Sequence, residues 1–360
     1  MFTGEVGVLE ATVERARTSL LDLGRRERVD GIESALAVLG EAFGVRLAAI
    51  ERELHALVEG GDLAAAAARH LVRAGGKRVR PLLCLLAAHA AGDGPGPATA
   101  VAAMAAEAVH GATLLHDDVI DLGERRRGVA AARVVFGNAA SVLGGDLLLV
   151  RALERIEHTA PALLVPLLAV IGEMIEAEAL QLAHRGRVWV EETDYLRIVQ
   201  GKTASLFGWA ARAGAWTARG CDGAERERLA HACARFGREL GVAYQQLDDL
   251  LDLVGSGERL GKSLLSDVRE GKATPALRPA LALDPELETL LAEAGREATL
   301  PEGLGARVRA AVIASGAPEQ VRARVRAHTA AAIEAIETLP DTPGRRGLVE
   351  LAAALLERES

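Results

Sequence analysis

Six aspartates in two triplets of the same spacing are the residues best placed for chemistry. The first lies in His116-Asp117-Asp118-Val119-Ile120-Asp121 and the second in Gln245-Gln246-Leu247-Asp248-Asp249-Leu250-Leu251-Asp252. Positions i and i+4 share a helix face, so Asp117 and Asp121 project together. Like charges about 5 Å apart repel by ~3 kcal/mol at an effective dielectric near 20, so such a face draws a cation. Donors that are all oxygen favour a hard ion, Mg²⁺ or Mn²⁺, over zinc. A solvated acidic helix end would also account for one triplet. It does not account for a second, flanked by Leu247, Leu250 and Leu251 as a core face. Two carboxylate faces opposed across a helix-lined cavity would hold several Mg²⁺ and a diphosphate, and would stabilise that diphosphate as a leaving group.

Groups suited to anions accompany the aspartates. Gly75-Gly76-Lys77-Arg78-Val79-Arg80-Pro81 sets backbone amides, a lysine and two arginines at the start of a helix, an arrangement that fits phosphate. Arg125-Arg126-Arg127-Gly128 follows the first triplet and offers bidentate guanidinium contacts to phosphate oxygens. Lys202, Lys262 and Lys272 each stand near a glycine. Taken singly, a basic helix start or a solvated turn explains each of these equally well.

The elements that must position these groups read as helices throughout. Apolar residues recur at i, i+3 and i+4, and alternating β-branched runs are nearly absent. The pattern predicts helices over 30–59, 62–73, 79–91, 97–118, 138–158, 162–184, 193–199, 203–217, 223–254, 286–297, 303–315, 317–338 and 345–357, broken at Gly and Pro clusters. No fixed-period repeat or long polar linker divides the chain. The expected organisation is an all-α catalytic domain over 46–360, a single large helical bundle with a central cavity, preceded by a charged helical extension over 1–45 that carries none of the motifs.

Composition excludes several classes. Half of the 360 residues are hydrophobic and 26% are charged, which suits a large packed core and not a disordered chain. A net charge of −8 argues against general nucleic-acid binding, and aromatics at 3% supply neither base stacking nor an aromatic cage. Cys84, Cys221 and Cys233 are too scattered for a disulfide framework or a zinc site. The longest apolar stretch, Pro161 to Ile175, is too short to span a bilayer, so a cytoplasmic protein without a transmembrane segment is expected.

In their order, these segments resemble the all-trans polyprenyl diphosphate synthase family. The likeness extends over about residues 70–275 and includes Phe136-Gly137-Asn138, Gly144-Gly145-Asp146, Glu176-Ala177-Glu178-Ala179-Leu180-Gln181 and Gly201-Lys202-Thr203-Ala204-Ser205-Leu206-Phe207. The closest likeness is to octaprenyl and heptaprenyl synthases. The resemblance implies the isoprenoid-synthase helical bundle, a homodimer, several Mg²⁺ per site, and two substrates, an allylic diphosphate and isopentenyl diphosphate. By that resemblance Asp117, Asp121 and Asp248 ligate metal, with Asp118, Asp249 and Asp252 completing the catalytic clusters. Arg126, Lys202 and Lys272 assist the allylic diphosphate, Lys77, Arg80, His110 and Arg127 bind isopentenyl diphosphate, and Lys262 is a further substrate-binding residue. Thr203 and Gln245 line the path of the carbocation that forms when the allylic diphosphate departs. The double bond of isopentenyl diphosphate then attacks, and a proton is lost.

This sequence departs from the family pattern in places. Tyr244 replaces the usual Phe and Gln246 the usual aliphatic residue. Ser263 and Leu265 stand where Pro and Gly are customary, and Lys272-Ala273-Thr274-Pro275-Ala276 replaces KxTLP. In the family, side chains before the first triplet stop the growing product. Here they are small, Ala112 and Thr113 with Val109, Ala106 and Ala105 beneath. Each plug-free helical turn of about 5.4 Å leaves room for about one more isoprene unit. A long-chain product is expected, with geranylgeranyl diphosphate as the shorter alternative, Leu149 or Leu153 as another possible floor, and peripheral membrane contact for product release. Three rival readings fit less of the sequence. A terpene cyclase would need more aromatics, a His-Asp phosphohydrolase leaves the second triplet unexplained, and a non-catalytic partner subunit would be expected to have lost ligand aspartates.

Overall fold

The fold grows from one helix that is apolar on nearly every side. α1 (Ala42–Leu57), α2 (Leu63–Arg73) and α3 (Val79–Ala91) lead to this helix, α4 (Thr99–Ile120). A helix without a polar face must be surrounded, and α4 packs on α1, α2 and α3 and on the later α6 (Asn138–Thr159) and α9 (Ser205–Trp216). Its Ala102, Ala103, Ala105, Ala106 and Ala108 are all buried. Such small side chains let neighbouring helices approach closely.

The computed structural model describes residues 42–255, 272, 274–294, 301 and 303–357. The expected extension over 1–45 lies almost wholly outside them, as does Lys262 with Ser263 and Leu265. From Ala42 onward α1 is part of the bundle, burying Leu47, Ile50, Leu54 and Leu57 in the common core.

Beyond α4 the chain continues through α5 (Ala132–Phe136), α6, a 3₁₀ turn at Pro161–Leu163 and α7 (Leu164–Ala183). α8 (Glu192–Val199), α9 and α10 (Gly223–Val254) follow. α11 (Leu277–Leu283), α12 (Glu286–Ala294), α13 (Leu304–Ala314), α14 (Ala317–Ala335) and α15 (Pro343–Glu357) complete the described chain, with α14 packed on α10 and α15 on α3. α10 has 32 residues, about 48 Å at 1.5 Å per residue. It lies close to α9, where a Cβ on Gly241 would stand 3.1 Å from Phe207 Cβ.

Three features differ from the sequence expectation. A two-stranded antiparallel ribbon, β1 (Arg125–Arg126) with β2 (Val129–Ala130), follows the first aspartate triplet. Its turn residues Arg127 and Gly128 have φ of 51° and 81°, the left-handed pair that a tight two-residue hairpin requires. Strands of two residues leave no alternation to read. The short α5 and α11 were likewise unmarked. Finally, the helix expected to start at 203 is wound from Gln200 to Ala204 as a π-turn, and α9 begins at Ser205. Single π-turns inside helices concentrate at functional sites. Among the described residues no helix is long and apolar enough to cross a membrane.

Candidate active site

The first aspartate triplet sits where α4 ends, and the helix divides its carboxylates between two directions. Asp117 faces Lys202 at 3.4 Å, and Asp121 faces Lys272 at 2.9 Å and also pairs with Arg185. Asp118, fully buried, turns toward the ribbon, where its Oδ1 accepts from Arg126 Nε at 2.8 Å and Nη2 at 2.6 Å. Its Oδ2 is buried without a hydrogen-bond partner. Burial pushes the Asp117 carboxyl above the ordinary range, with Lys202 and Lys272 pulling it back. The Asp118 carboxyl is also raised by burial, against the opposing pull of Arg126. His116 points elsewhere, to Asp146 at 3.3 Å and the Val142 carbonyl at 3.2 Å on α6, so it does not share a ligand position with Asp117.

Of the second triplet, Asp249 lines a cavity of about 110 Å³ together with Gln181, His184, Tyr195, Lys202, Thr203, Gln245 and Lys272. Within it runs a hydrogen-bond chain. Thr203 Oγ1 donates to Gln245 Oε1 at 2.8 Å, Gln245 Nε2 to Asp249 Oδ1 at 2.7 Å, and the Tyr195 hydroxyl to Asp249 Oδ2 at 2.7 Å. Burial raises Asp249 to about 6, helped by Asp248 and Asp252 and resisted by the two donors. The π-turn brings Lys202 and Thr203 to this wall. A Cβ on Gly201 would stand 2.6 Å from Ala177 Cβ and 2.7 Å from the Glu173 carbonyl, so only glycine allows the turn so close to α7. From there Lys202 reaches Glu178 as well as Asp117.

A second charged cluster lies between the Gly75–Pro81 segment, α4 and the ribbon. Arg78, in the left-handed conformation at φ 53°, is buried and bonds Glu51 at 2.6 Å and Glu107 at 2.8 Å. Burial lowers its pKa, but Glu107 and Glu51 more than offset this and raise it. Arg127 bonds the Gly75 carbonyl and lies 3.3 Å from Glu107. Burial draws it down to about 10, which leaves it charged at neutral pH. Arg80 stacks 4.9 Å over the Phe207 ring, and its Nε is buried without a partner. His110 is driven well below its ordinary value by burial and then by Arg80, Arg127, Arg126 and Arg78. Arg80, His110 and Arg127 are thus gathered into one field of surplus positive charge, whereas Lys77 is exposed.

Sequence reasoning overlooked Arg185, Tyr195, Glu178 and the pair Glu51 and Glu107. Glu107 had a readable signal, a lone acid in an otherwise apolar helix. Arg185 had none, because only the fold carries it to Asp121. Of the residues expected to set product length, Ala106, Val109 and Ala112 are buried in the core, and Thr113 is half-buried with its hydroxyl on the His110 carbonyl at 2.8 Å. Gln246 is 2% exposed, and both its amide atoms lack partners. It lines a separate small cavity with Thr274 and Val321.

The donor set suits a hard divalent ion. All the donors are carboxylate oxygens, burial makes the charge on Asp117 costly, and Lys202, Lys272 and Arg185 supply the positive charge here. Among the described residues no three His, Cys, Asp or Glu side chains converge on one ion position. A hard divalent ion held by one or two of these carboxylates would complete its shell from phosphate and water.

A family model described as polyprenyl synthetase matches residues 62–304. The chain belongs to the polyprenyl synthetase family. It is a trans-prenyltransferase of isoprenoid biosynthesis, and the family works with divalent metal ions. The octaprenyl diphosphate synthase of Escherichia coli (strain K12) is 37% identical over 296 residues, covering 81% of this chain and 88% of that one. The short chain isoprenyl diphosphate synthase of Methanothermobacter thermautotrophicus is 36% identical over 302 residues, covering 81% and 90%. The crystal structure of a polyprenyl synthase from Caulobacter crescentus CB15, complexed with calcium and isoprenyl diphosphate, superposes with a TM-score of 0.80 at 36% identity, covering 90% of this chain and 98% of that one.

Proposed function

We propose that this prenyltransferase condenses an allylic diphosphate with successive isopentenyl diphosphates to form a long all-trans polyprenyl diphosphate. The observation that carries the reading is the adjacency of the lysine-bridged aspartates to the arginine cluster around His110. Asp117, Asp121 and Asp248 would hold Mg²⁺, which neutralises the allylic diphosphate as it leaves. Lys202 and Lys272, on Asp117 and Asp121 here, would exchange these carboxylates for phosphate oxygens. Arg80, Arg127 and neutral His110 hold the diphosphate of the second substrate, with Lys77 at the mouth. The oxygens of Thr203 and Gln245 face the allylic carbon as positive charge develops there.

Relatives about equally similar include both long- and short-chain synthases, so the small residues of α4 carry the length argument. Ala112, Val109 and Ala106 place no bulky plug in the roughly three turns below Asp117. A second copy of the chain is proposed to cover α6 and α7, which expose Val142, Leu143 and Val150, and Val165, Leu168, Ile175 and Leu182. Exposed large apolar side chains gathered on two consecutive helices suit an interface. Incubation with farnesyl and isopentenyl diphosphates and Mg²⁺, with the products sized by chromatography, should yield chains beyond geranylgeranyl. Accumulation of geranylgeranyl diphosphate would overturn the length assignment, and absence of carbon–carbon bond formation would overturn the whole reading.

A further inference from the structure

Tyr195 lines the same cleft as Lys202 and Lys272 but presents no cation to a diphosphate. Tyr195 comes from α8 and is buried in a small apolar cluster of its own with Val190, Val199, Ala204 and Val242. Its hydroxyl leaves that cluster to donate to Asp249 Oδ2 at 2.7 Å. The other Asp249 oxygen accepts from Gln245 Nε2 at 2.7 Å, and Gln245 Oε1 accepts from Thr203 at 2.8 Å.

The direction of this chain is set at its carboxylate end. An ionised carboxylate only accepts, so Gln245 must turn its NH₂ to Asp249 and its carbonyl to Thr203. Thr203 then spends its proton on that carbonyl. Both Gln245 Oε1 and Thr203 Oγ1 therefore offer lone pairs to the cavity they line. With the amide reversed, N–H groups would face the cavity and two acceptor oxygens would oppose each other at Asp249. Dipoles fixed in advance toward developing charge are the strongest electrostatic device a site possesses.

We propose that Tyr195 is a positioning residue for prenyl transfer: by clamping Asp249 it fixes the amide of Gln245 and the hydroxyl of Thr203 with their oxygens toward the carbon that becomes cationic. This rests on the reading of the cleft given above. It assigns Asp249 to orientation rather than to metal binding, and it explains why a tyrosine hydroxyl reaches out of an apolar cluster to a carboxylate.

The test is Tyr195→Phe, which keeps the ring and its packing. Turnover should fall about ten- to thirty-fold, as expected when one hydrogen bond to a charged group is lost. The KM of each diphosphate and the half-saturating Mg²⁺ concentration should stay within about twofold, a split between kcat and KM that marks an interaction made in the transition state. In a Gln245→Leu background the same change should have no further effect on turnover, because the residue through which Tyr195 acts is gone. Crystal structures of Tyr195→Phe and the unaltered protein should differ in the Asp249 rotamer and in the Gln245–Asp249 contact. The proposal is overturned if Tyr195→Phe leaves kcat unchanged, if it shifts the Mg²⁺ midpoint instead, if the two substitutions are independent, or if Asp249 and Gln245 do not move. Failure of the unaltered protein to transfer a prenyl group would sink the reading of the cleft instead, and the crystal structures would still decide the clamp.

Discussion

Replacing Gln246 by leucine should stabilise this protein. The side chain is 2% exposed, and neither its Oε1 nor its Nε2 finds a partner. Thr274 Oγ1, across the same small cavity, is also unpartnered. Each unmet buried polar group costs about 1–3 kcal/mol, and replacing it with an apolar group of similar shape removes that cost. Leucine still leaves Thr274 unmet and fits less flexibly, so a net gain of about 2 kcal/mol is expected. With an unfolding entropy of about 2.1 cal/mol/K per residue, the 360-residue chain loses roughly 0.75 kcal/mol of stability per degree near its midpoint, so the gain amounts to about 3 °C. Differential scanning calorimetry in metal-free buffer measures this directly, with Gln246→Ala as the companion variant that removes the amide but leaves a hole. Gln246 does not line the main cleft, so turnover of Gln246→Leu should stay within about twofold, below 0.5 kcal/mol of barrier. A leucine variant that melts below the parent would refute the reasoning, since it would mean that the amide is satisfied by bound water and is an asset.

Three further outcomes follow from particular side chains. Ala112→Phe, at a position 2% exposed on α4, should shorten the product at an overpacking cost of about 1–3 kcal/mol; chromatographic sizing and a melting curve read the two effects separately. Glu107→Gln takes the shared charge from between Arg78 and Arg127, and the loss of a buried pair of this kind costs about 3–5 kcal/mol, measurable as a lower denaturant midpoint. His110 resists protonation in the fold, chiefly through burial and then through Arg80 and Arg127. The unfolded chain takes up that proton near its ordinary value of 6.5. Stability should therefore be intact above that pH and decline as pH falls below it. Melting temperatures of the parent and His110→Asn from pH 7.5 to 5 check this, and an equal decline in the variant would assign the loss to other groups.

Much of the site was legible because its residues repeat a spacing that a helix turns into a face. Asp117 and Asp121 share one, whereas Lys202 and Lys272, each near a glycine, gained a role only from the family resemblance. The bounds of α3 and α10 coincide with the expected 79–91 and 223–254, since Gly and Pro clusters punctuate both. Contacts made across the fold were not legible. Arg78 reads like its neighbours in the Gly75–Pro81 segment, yet Glu51 and Glu107, from two other helices, make it a buried strut. The π-turn at Gln200 has no propensity signal, because it depends on Ala177 and Glu173 standing where a Cβ on Gly201 would go. Tyr195 looked like one aromatic among few, and only the course of α10 brings Asp249 to its hydroxyl.

The ribbon after α4 sends adjacent residues to different neighbours: Arg126 to Asp118, and Arg127 to Gly75 and Glu107. A change in its length by one residue would move both arginines out of register at once, injuring the aspartate and arginine clusters together. Point changes touch one cluster at a time. In a comprehensive variant library, selected for growth dependent on this enzyme, residues 125–130 should therefore tolerate substitution at exposed Val129 yet reject every single-codon insertion or deletion. Length, more than composition, is what selection would guard in this segment.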